Sequence, residues 1–235
     1  HFDLDPRKIH VIHNGIDLDE YHRVEAPDVL RKHGVDPDQP YVLFVGRITR
    51  QKGIVHLVRA IQHLDPGFQV VLCAGAPDTL EIKEEMEAAV NAVSATWPGI
   101  VWIQSMLPAP EKIAMYSHAA VFCCPSIYEP FGIINLEAMA CETAVVATAV
   151  GGIKEVVVEG ETGFLIPIEQ QTESPFEAVH PEKFARDLAA GINKLMADPA
   201  LRQRMALAGR QRAVDHFSWK SIARKTLALY KTLAV

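Results

Sequence analysis

The chain has 235 residues, 49% hydrophobic and 22% charged, a globular balance long enough to build a sizeable core in one large domain. A formal net charge of -6 gives no electrostatic reason to expect nucleic acid as a partner. The apolar runs fall far short of a membrane span and no signal peptide is visible, so no membrane partner is expected. Cys73, Cys123, Cys124 and Cys141 form no C-x-x-C pair, so neither a metal nor a redox cofactor is expected. The first three sit in apolar runs and read as reduced core residues of a cytoplasmic protein.

Lys8 to Ile12 reads as a short strand ending in the turn signal Asn14-Gly15. His10 and His13 have no carboxylate or further histidine nearby to complete a metal set and are taken as structural. Asp28 to Gly34 predicts a short helix, and Asp36 to Pro40 a connecting loop. Tyr41 to Val45 is near-continuously apolar, as expected of a strand buried on both faces. It ends in Gly46-Arg47, and a helix follows with Leu57, Ile61 and Leu64 on one side. Arg47 and Lys52 flank this strand-to-helix turn, where open α/β sheets place their ligands. Two cations there can neutralise a diphosphate, the arginine as a fork and the lysine as a mobile point charge. A solvated basic turn is the plainer alternative, and Arg50 is the weaker candidate partner.

Phe68 to Cys73 is the next strand, with Ala74 to Pro77 as its exit loop. Asp78 to Ala95 is a charged amphipathic helix whose acidic run, Glu81 to Glu87, reads as a solvated face. Ile100 to Ile103 is a strand, and Pro110 to Ser117 a short helix leading into the buried strand Ala119 to Cys124. Beyond it, Ile133, Leu136, Met139 and Ala140 repeat at helical spacing. Glu129 then falls in the turn and Gly132 opens the helix, a start that tolerates Pro130. Free N–H groups at Phe131 to Ile133, with the helix dipole, make an anion site. Thr143 to Ala147 is a strand feeding Gly151-Gly152, a pair that either admits a ligand to the backbone or simply turns tightly. Ile153 to Glu159 predicts a short helix, Gly163 to Ile166 the last strand, and Glu169 to Val179 an exposed loop. The remainder, 181–235, is helical. Its stripes are Phe184, Leu188, Ile192 and Leu195, then Met205, Ala208 and Arg212, then Trp219, Ile222, Ala223, Leu227 and Tyr230.

About six short strands alternating with helices predict a doubly wound, mostly parallel α/β sheet with extra C-terminal helices, in one domain over 1–235. No G-x-G-x-x-G, G-x-x-x-x-G-K-[ST] or G-x-S-x-G occurs, against a dinucleotide oxidoreductase, a P-loop NTPase and an α/β-hydrolase. Glu129 and Glu137, eight residues apart, would be roughly 12 Å apart along a continuous helix. A glycosidase pair holds its carboxyls about 5–9.5 Å apart across one bond. This pair suits the two ends of an elongated ligand with a charged middle. A nucleotide-sugar fits, with sugar hydroxyls at Glu129, diphosphate at the Phe131–Ile133 amides and ribose at Glu137. Two solvated glutamates on a surface helix are the alternative.

The spacing resembles the E-x7-E signature of retaining GT-B glycosyltransferases, family 4 and the related bacterial glycogen synthases. Val45 to Gly53 resembles their phosphate-binding turn, and Val11 to Asp17 the segment that opens their C-terminal domain. Gly151 to Glu155 and Gly160 to Phe164 are similar to later signatures, so the resemblance covers nearly the whole chain in order. The wording is most similar to the actinobacterial type of glycogen synthase, which uses ADP-glucose.

That resemblance implies a Rossmann-like C-terminal half of a GT-B fold. It implies that Arg47 and Lys52, beside Gly46, contact the donor diphosphate and stabilise it as it leaves. It implies a nucleobase near Met106 and Leu107, and donor contacts at Glu129, Pro130, Phe131, Gly132, Ile133 and Glu137. Glucose would pass from ADP-glucose to an α-1,4-glucan or to glucose 1-phosphate with retention, by same-face attack within one ternary complex. No cofactor or metal is implied. An N-terminal domain carrying the acceptor side would precede His1, a terminus other than Met, and the chain alone would have little activity. A C-terminal helix crossing to that domain would leave part of the last stripe exposed. The alternatives are a family 4 hexosyltransferase using a UDP- or GDP-sugar, a non-hydrolysing epimerase and a non-catalytic nucleotide-sugar module.

Overall fold

The computed structural model describes residues 5–233. Six strands form one sheet: β1 (Tyr41–Arg47), β2 (Gln69–Gly75), β3 (Ile100–Ile103), β4 (Val121–Cys124), β5 (Ala144–Thr148) and β6 (Gly163–Ile166). Their spatial order is β3-β2-β1-β4-β5-β6 and every pairing is parallel. All three strands β2, β4 and β5 are buried along their whole length, which is why, apart from Gln69 and Thr148 at strand ends, their sequences are apolar rather than alternating. At one edge, β3 is only half-buried.

Side chains leave the two faces of the sheet alternately. Val42, Phe44, Val70, Leu72, Val121, Cys123 and Val146 point into one core. Against it lie α2 (Ile54–Ala60), α3 (Leu80–Ser94) and α7 (Pro181–Ala197). Tyr41, Leu43, Val71, Cys73, Phe122, Cys124 and Val145 point into the other. There they meet α1 (Pro27–Lys32), α4 (Ala109–His118), α5 (Ile133–Ala140) and α6 (Ile153–Val156). The expected α7 stripe of Phe184, Leu188, Ile192 and Leu195 is wholly buried. Two helices complete the chain, α8 (Pro199–Arg212) and α9 (Trp219–Leu233), joined through a π-helical turn at Ala213–Phe217. Helix starts follow local chemistry: the Thr79 side chain accepts from the Ile82 N–H, and Asp198 from that of Leu201.

Three sequence expectations are corrected. Residues 9–12 are not a strand: a 3-10 turn covers Pro6–Lys8, Ile9 and Val11 are exposed, and the segment pairs with neither edge of the sheet. The helix after β1 stops at Ala60 and tightens into a 3-10 turn at Ile61–His63, although Leu57, Ile61 and Leu64 are all buried as expected. Pro130 lies ahead of the α5 N-cap, Gly132, rather than in the first helical turn. Along α9, Ile222 is buried while Trp219, Leu227, Tyr230 and Leu233 are exposed. No helix among the described residues is long and apolar enough to cross a membrane.

Candidate functional site

The sheet order reverses between β1 and β4, and the loops leaving their carboxyl ends lie side by side. Those loops are fastened together. The Ile127 N–H donates to the Gln51 carbonyl at 2.9 Å. Gly53, the N-cap of α2, holds φ +61, and a Cβ there would stand 2.1 Å from the Pro125 carbonyl oxygen. Only glycine allows that crossing. From the other side, the Gly152 N–H donates to the Glu129 carbonyl at 3.0 Å. A Cβ on Gly152 would fall 2.4 Å from the Pro130 carbonyl oxygen and 2.5 Å from Phe131 Cα. The paired glycines therefore serve a close approach of protein backbone to the Glu129 loop.

This packing presents Lys52 to Glu129. The ammonium Nζ donates to Glu129 Oε2 at 2.6 Å, and the two side chains are only 18% and 10% exposed. Gly132 at φ +95 caps α5 without a side-chain hydrogen bond, so the amides of its first turn carry no side-chain acceptor at the cap. Phe131 stacks on His13 with ring centroids 5.6 Å apart, and His13 also contacts Glu155.

Glu137 lies in the second turn of α5, 8% exposed. Lys112 Nζ donates to its Oε1 at 3.0 Å and the Tyr116 hydroxyl to its Oε2 at 2.9 Å. Lys112 also sits over the Tyr21 ring, 5.3 Å from its centroid. Burial opposes the charge on Lys112, but Tyr21 and the Glu137 carboxylate outweigh it and raise its pKa. Burial, then the adjacent Glu137 charge, pushes the Tyr116 hydroxyl well above the ordinary tyrosine value, so it remains a proton donor.

A cavity of about 250 Å³ opens between these groups, lined by Val45, Gly46, Arg47, Lys52, Cys73, Ser105, Met106, Leu107, Lys112, Ile134 and Glu137. The structure thus gathers six of the expected residues, Gly46, Arg47, Lys52, Met106, Leu107 and Glu137, around one cavity. Glu129 reaches it through Lys52. Pro130, Phe131, Gly132 and Ile133 form the turn beside it rather than its lining. Arg47 is turned outward onto Asp78, a 3.0 Å pair with both side chains about half exposed. Arg50 is held elsewhere by Glu81 and Glu85, so the acidic face of α3 is partly an ion-pair surface rather than a purely solvated one. Among the described residues no cluster of three or more potential metal ligands occurs.

Lys112, Tyr116 and Tyr21 were not singled out by the sequence. Lys112 and Tyr116 are four apart and share one face of α4, a legible pattern. Nothing in it points to a carboxylate more than twenty residues away.

A family described as "Glycosyl transferases group 1" matches residues 26–212, and the chain belongs to it. Among relatives, it is 47% identical over 234 residues to the alpha-maltose-1-phosphate synthase of Mycolicibacterium smegmatis, aligning 98% of this chain with 58% of that protein. It is 33% identical to the D-inositol 3-phosphate glycosyltransferase of Kribbella flavida, over 97% of this chain and 51% of that protein. The solved structure of sucrose-phosphate synthase from Thermosynechococcus elongatus superposes with a TM-score of 0.74 at 33% identity, covering 95% of this chain and 52% of that one. The chain therefore spans little more than half the length of these relatives. The six-stranded parallel sheet with flanking helices is the expected Rossmann-like, GT-B-type fold.

Proposed function

We propose that this chain holds the nucleotide-sugar donor of a retaining hexosyltransferase. The observation that carries the reading is a cavity at the β1/β4 reversal lined by both Lys52, itself paired to Glu129, and Glu137. In this reading the diphosphate lies against Lys52, Arg47 and the first amides of α5. Lys52 leaves Glu129 for the phosphate as donor enters, and Glu129 turns its carboxylate to the sugar hydroxyls. Arg47 exchanges an exposed aspartate for a more desolvated anion, where a fixed cation stabilises charge developing on the leaving group more strongly. Glu137 takes the ribose, and the base lies by Met106 and Leu107.

The finer reading is transfer of glucose from ADP-glucose to glucose 1-phosphate, or to an α-1,4-glucan as a glycogen synthase does. The name of the Mycolicibacterium relative, a synthase of maltose 1-phosphate, favours the sugar-phosphate acceptor. A UDP- or GDP-sugar is the second reading, because nothing charged among the lining residues singles out one base. A cytoplasmic setting fits four free, buried cysteines. The acceptor side belongs to the length these relatives have beyond the aligned part, so this chain alone is expected to turn over little.

The test is calorimetric titration of the full-length protein and of this chain with ADP-glucose, UDP-glucose and NAD. Binding of one nucleotide-glucose, lost in a Glu129→Ala/Lys52→Ala double variant, is the expected result. Binding of NAD with neither sugar nucleotide overturns the donor reading, as does failure of the full-length protein to bind any of the three.

A further inference from the structure

The carboxylate of Glu137 has about four lone-pair positions, two on each oxygen. The protein fills one on each: Lys112 Nζ donates to Oε1 and the Tyr116 hydroxyl to Oε2. The Tyr21 hydroxyl also faces this carboxylate, and acceptor capacity beyond these groups remains on a side chain that lines the cavity. Two acceptors on one rigid carboxylate match a pair of adjacent hydroxyls, which a carboxylate receives in bidentate fashion. An unrestrained glutamate has three rotatable side-chain bonds and presents that geometry only part of the time.

Here the restraint is built in depth. Tyr116 is wholly buried and set edge-on to Phe122, with ring centroids 5.4 Å apart. Its backbone carbonyl accepts from Thr143 Oγ1 at 2.5 Å, which fixes the end of α4 against the start of β5. Lys112 is held by Tyr21, from the segment before α1. Three separate parts of the chain thus converge on one carboxylate.

We propose that Lys112 and Tyr116 are positioning residues that fix the Glu137 carboxylate to receive the vicinal diol of a ribonucleotide, so that the pair, more than Glu137's charge alone, sets the preference for ribose over its deoxy forms. This rests on the donor reading above. Tyr116, wholly buried and outside the cavity lining, acts from behind the carboxylate, while Lys112 lines the cavity and holds the carboxylate from the side.

The experiment measures dissociation constants of the full-length protein for ADP and UDP, each against its 2′,3′-dideoxy counterpart. The wild type should prefer the ribose form by about tenfold or more, the scale of one or two charge-assisted hydrogen bonds. Glu137→Leu should abolish that preference. Tyr116→Phe and Lys112→Met should each cut it about three- to tenfold, and Tyr116→Phe, outside the cavity lining, should leave dideoxynucleotide affinity within about twofold. Lys112→Arg, which keeps a cation at the flank, should recover part of it. A merely structural role would lower affinity for both forms together. If Glu137→Leu loses the preference while Tyr116→Phe and Lys112→Met retain it, the positioning role is wrong and the donor reading survives. Should the wild type show no preference, or Glu137→Leu keep it, the ribose assignment of Glu137 falls and the proposal with it. Lys112 is partly exposed and Tyr116→Phe removes one oxygen, so if one variant fails to fold the other still decides the matter.

Discussion

Lys52 Nζ lies 2.6 Å from Glu129 Oε2, and this contact joins the two halves of the sheet at the point where they present their loops. The ammonium follows β1 and the carboxylate follows β4, so neither charge is anchored by its own element alone. Both side chains are mostly withdrawn from water. Removing either leaves the other poorly solvated and unpartnered.

Lys52→Met and Glu129→Gln should therefore each destabilise the fold by about 1–3 kcal/mol, and the double variant by clearly less than the sum. Urea unfolding of the three proteins checks this. Strict additivity would mean that the contact contributes nothing. Lys52→Met should in addition weaken nucleotide-diphosphate binding by about tenfold or more, since a charge-assisted contact is lost.

Gly152 has an ordinary helical φ of -73, so an alanine there is unstrained in its own backbone. Its Cβ would nonetheless strike the Pro130 carbonyl and Phe131 Cα, neither of which can swing aside. Gly152→Ala should displace the Glu129 loop, lower stability by about 2 kcal/mol and abolish nucleotide-sugar binding. Gly160→Ala is the control: its φ of +74 costs conformational energy, but no atom lies near the added methyl, and binding should persist.

Met106 is 71% exposed yet lines the cavity. Met106→Ala should change stability by less than about 0.5 kcal/mol, as expected of an exposed position. A base stacked on it would lose a few-fold in affinity, measurable with ADP and UDP against inorganic pyrophosphate. Unchanged nucleotide affinity would place the base elsewhere.

Burial pushes the thiols of Cys73 and Cys141 up to about 12. In the unfolded chain a thiol ionises near pH 8.5–9, at about its free value. Between those values the unfolded state binds fewer protons than the native one, so stability falls as pH rises. Urea midpoints should drop steadily from about pH 9 upward, and Cys73→Ala/Cys141→Ala should flatten the slope. Iodoacetamide at pH 8 should spare all four native cysteines and label them after unfolding.

The sheet was legible because strands buried on both faces read as continuous apolar runs, as in Val121 to Cys124 and Ala144 to Ala147. Lys8 to Ile12 misled for another reason: a short stretch ahead of the Asn14-Gly15 turn signal reads as a strand, but it pairs with no strand of the sheet and Ile9 and Val11 stay exposed. Within the site, Lys52 and Glu129 stood out because charge beside a strand-to-helix turn is conspicuous, and Glu137 by its spacing of eight residues from Glu129. Their partners did not. Tyr116 reads as one more aromatic of a buried helix, and its bond to Glu137 spans 21 residues. Likewise the outward turn of Arg47 onto Asp78 depends on how two loops meet, which local pattern does not encode.

The seam between β1 and β4 is short: Val42 stands opposite Val121 and Leu43 opposite Phe122, while β1 meets β2 in register over its full length. Strands β1 to β3 and β4 to β6 each come from one consecutive stretch of chain, so either trio closes over shorter loops than the seam does. Joining them is the entropically dearest step of assembly. Lys52 hangs from one trio and Glu129 from the other, so their contact exists only after that step. A fluorophore or exchange probe at this ion pair would thus clock the completion of folding, and a partly folded chain with either trio intact would remain blind to nucleotide.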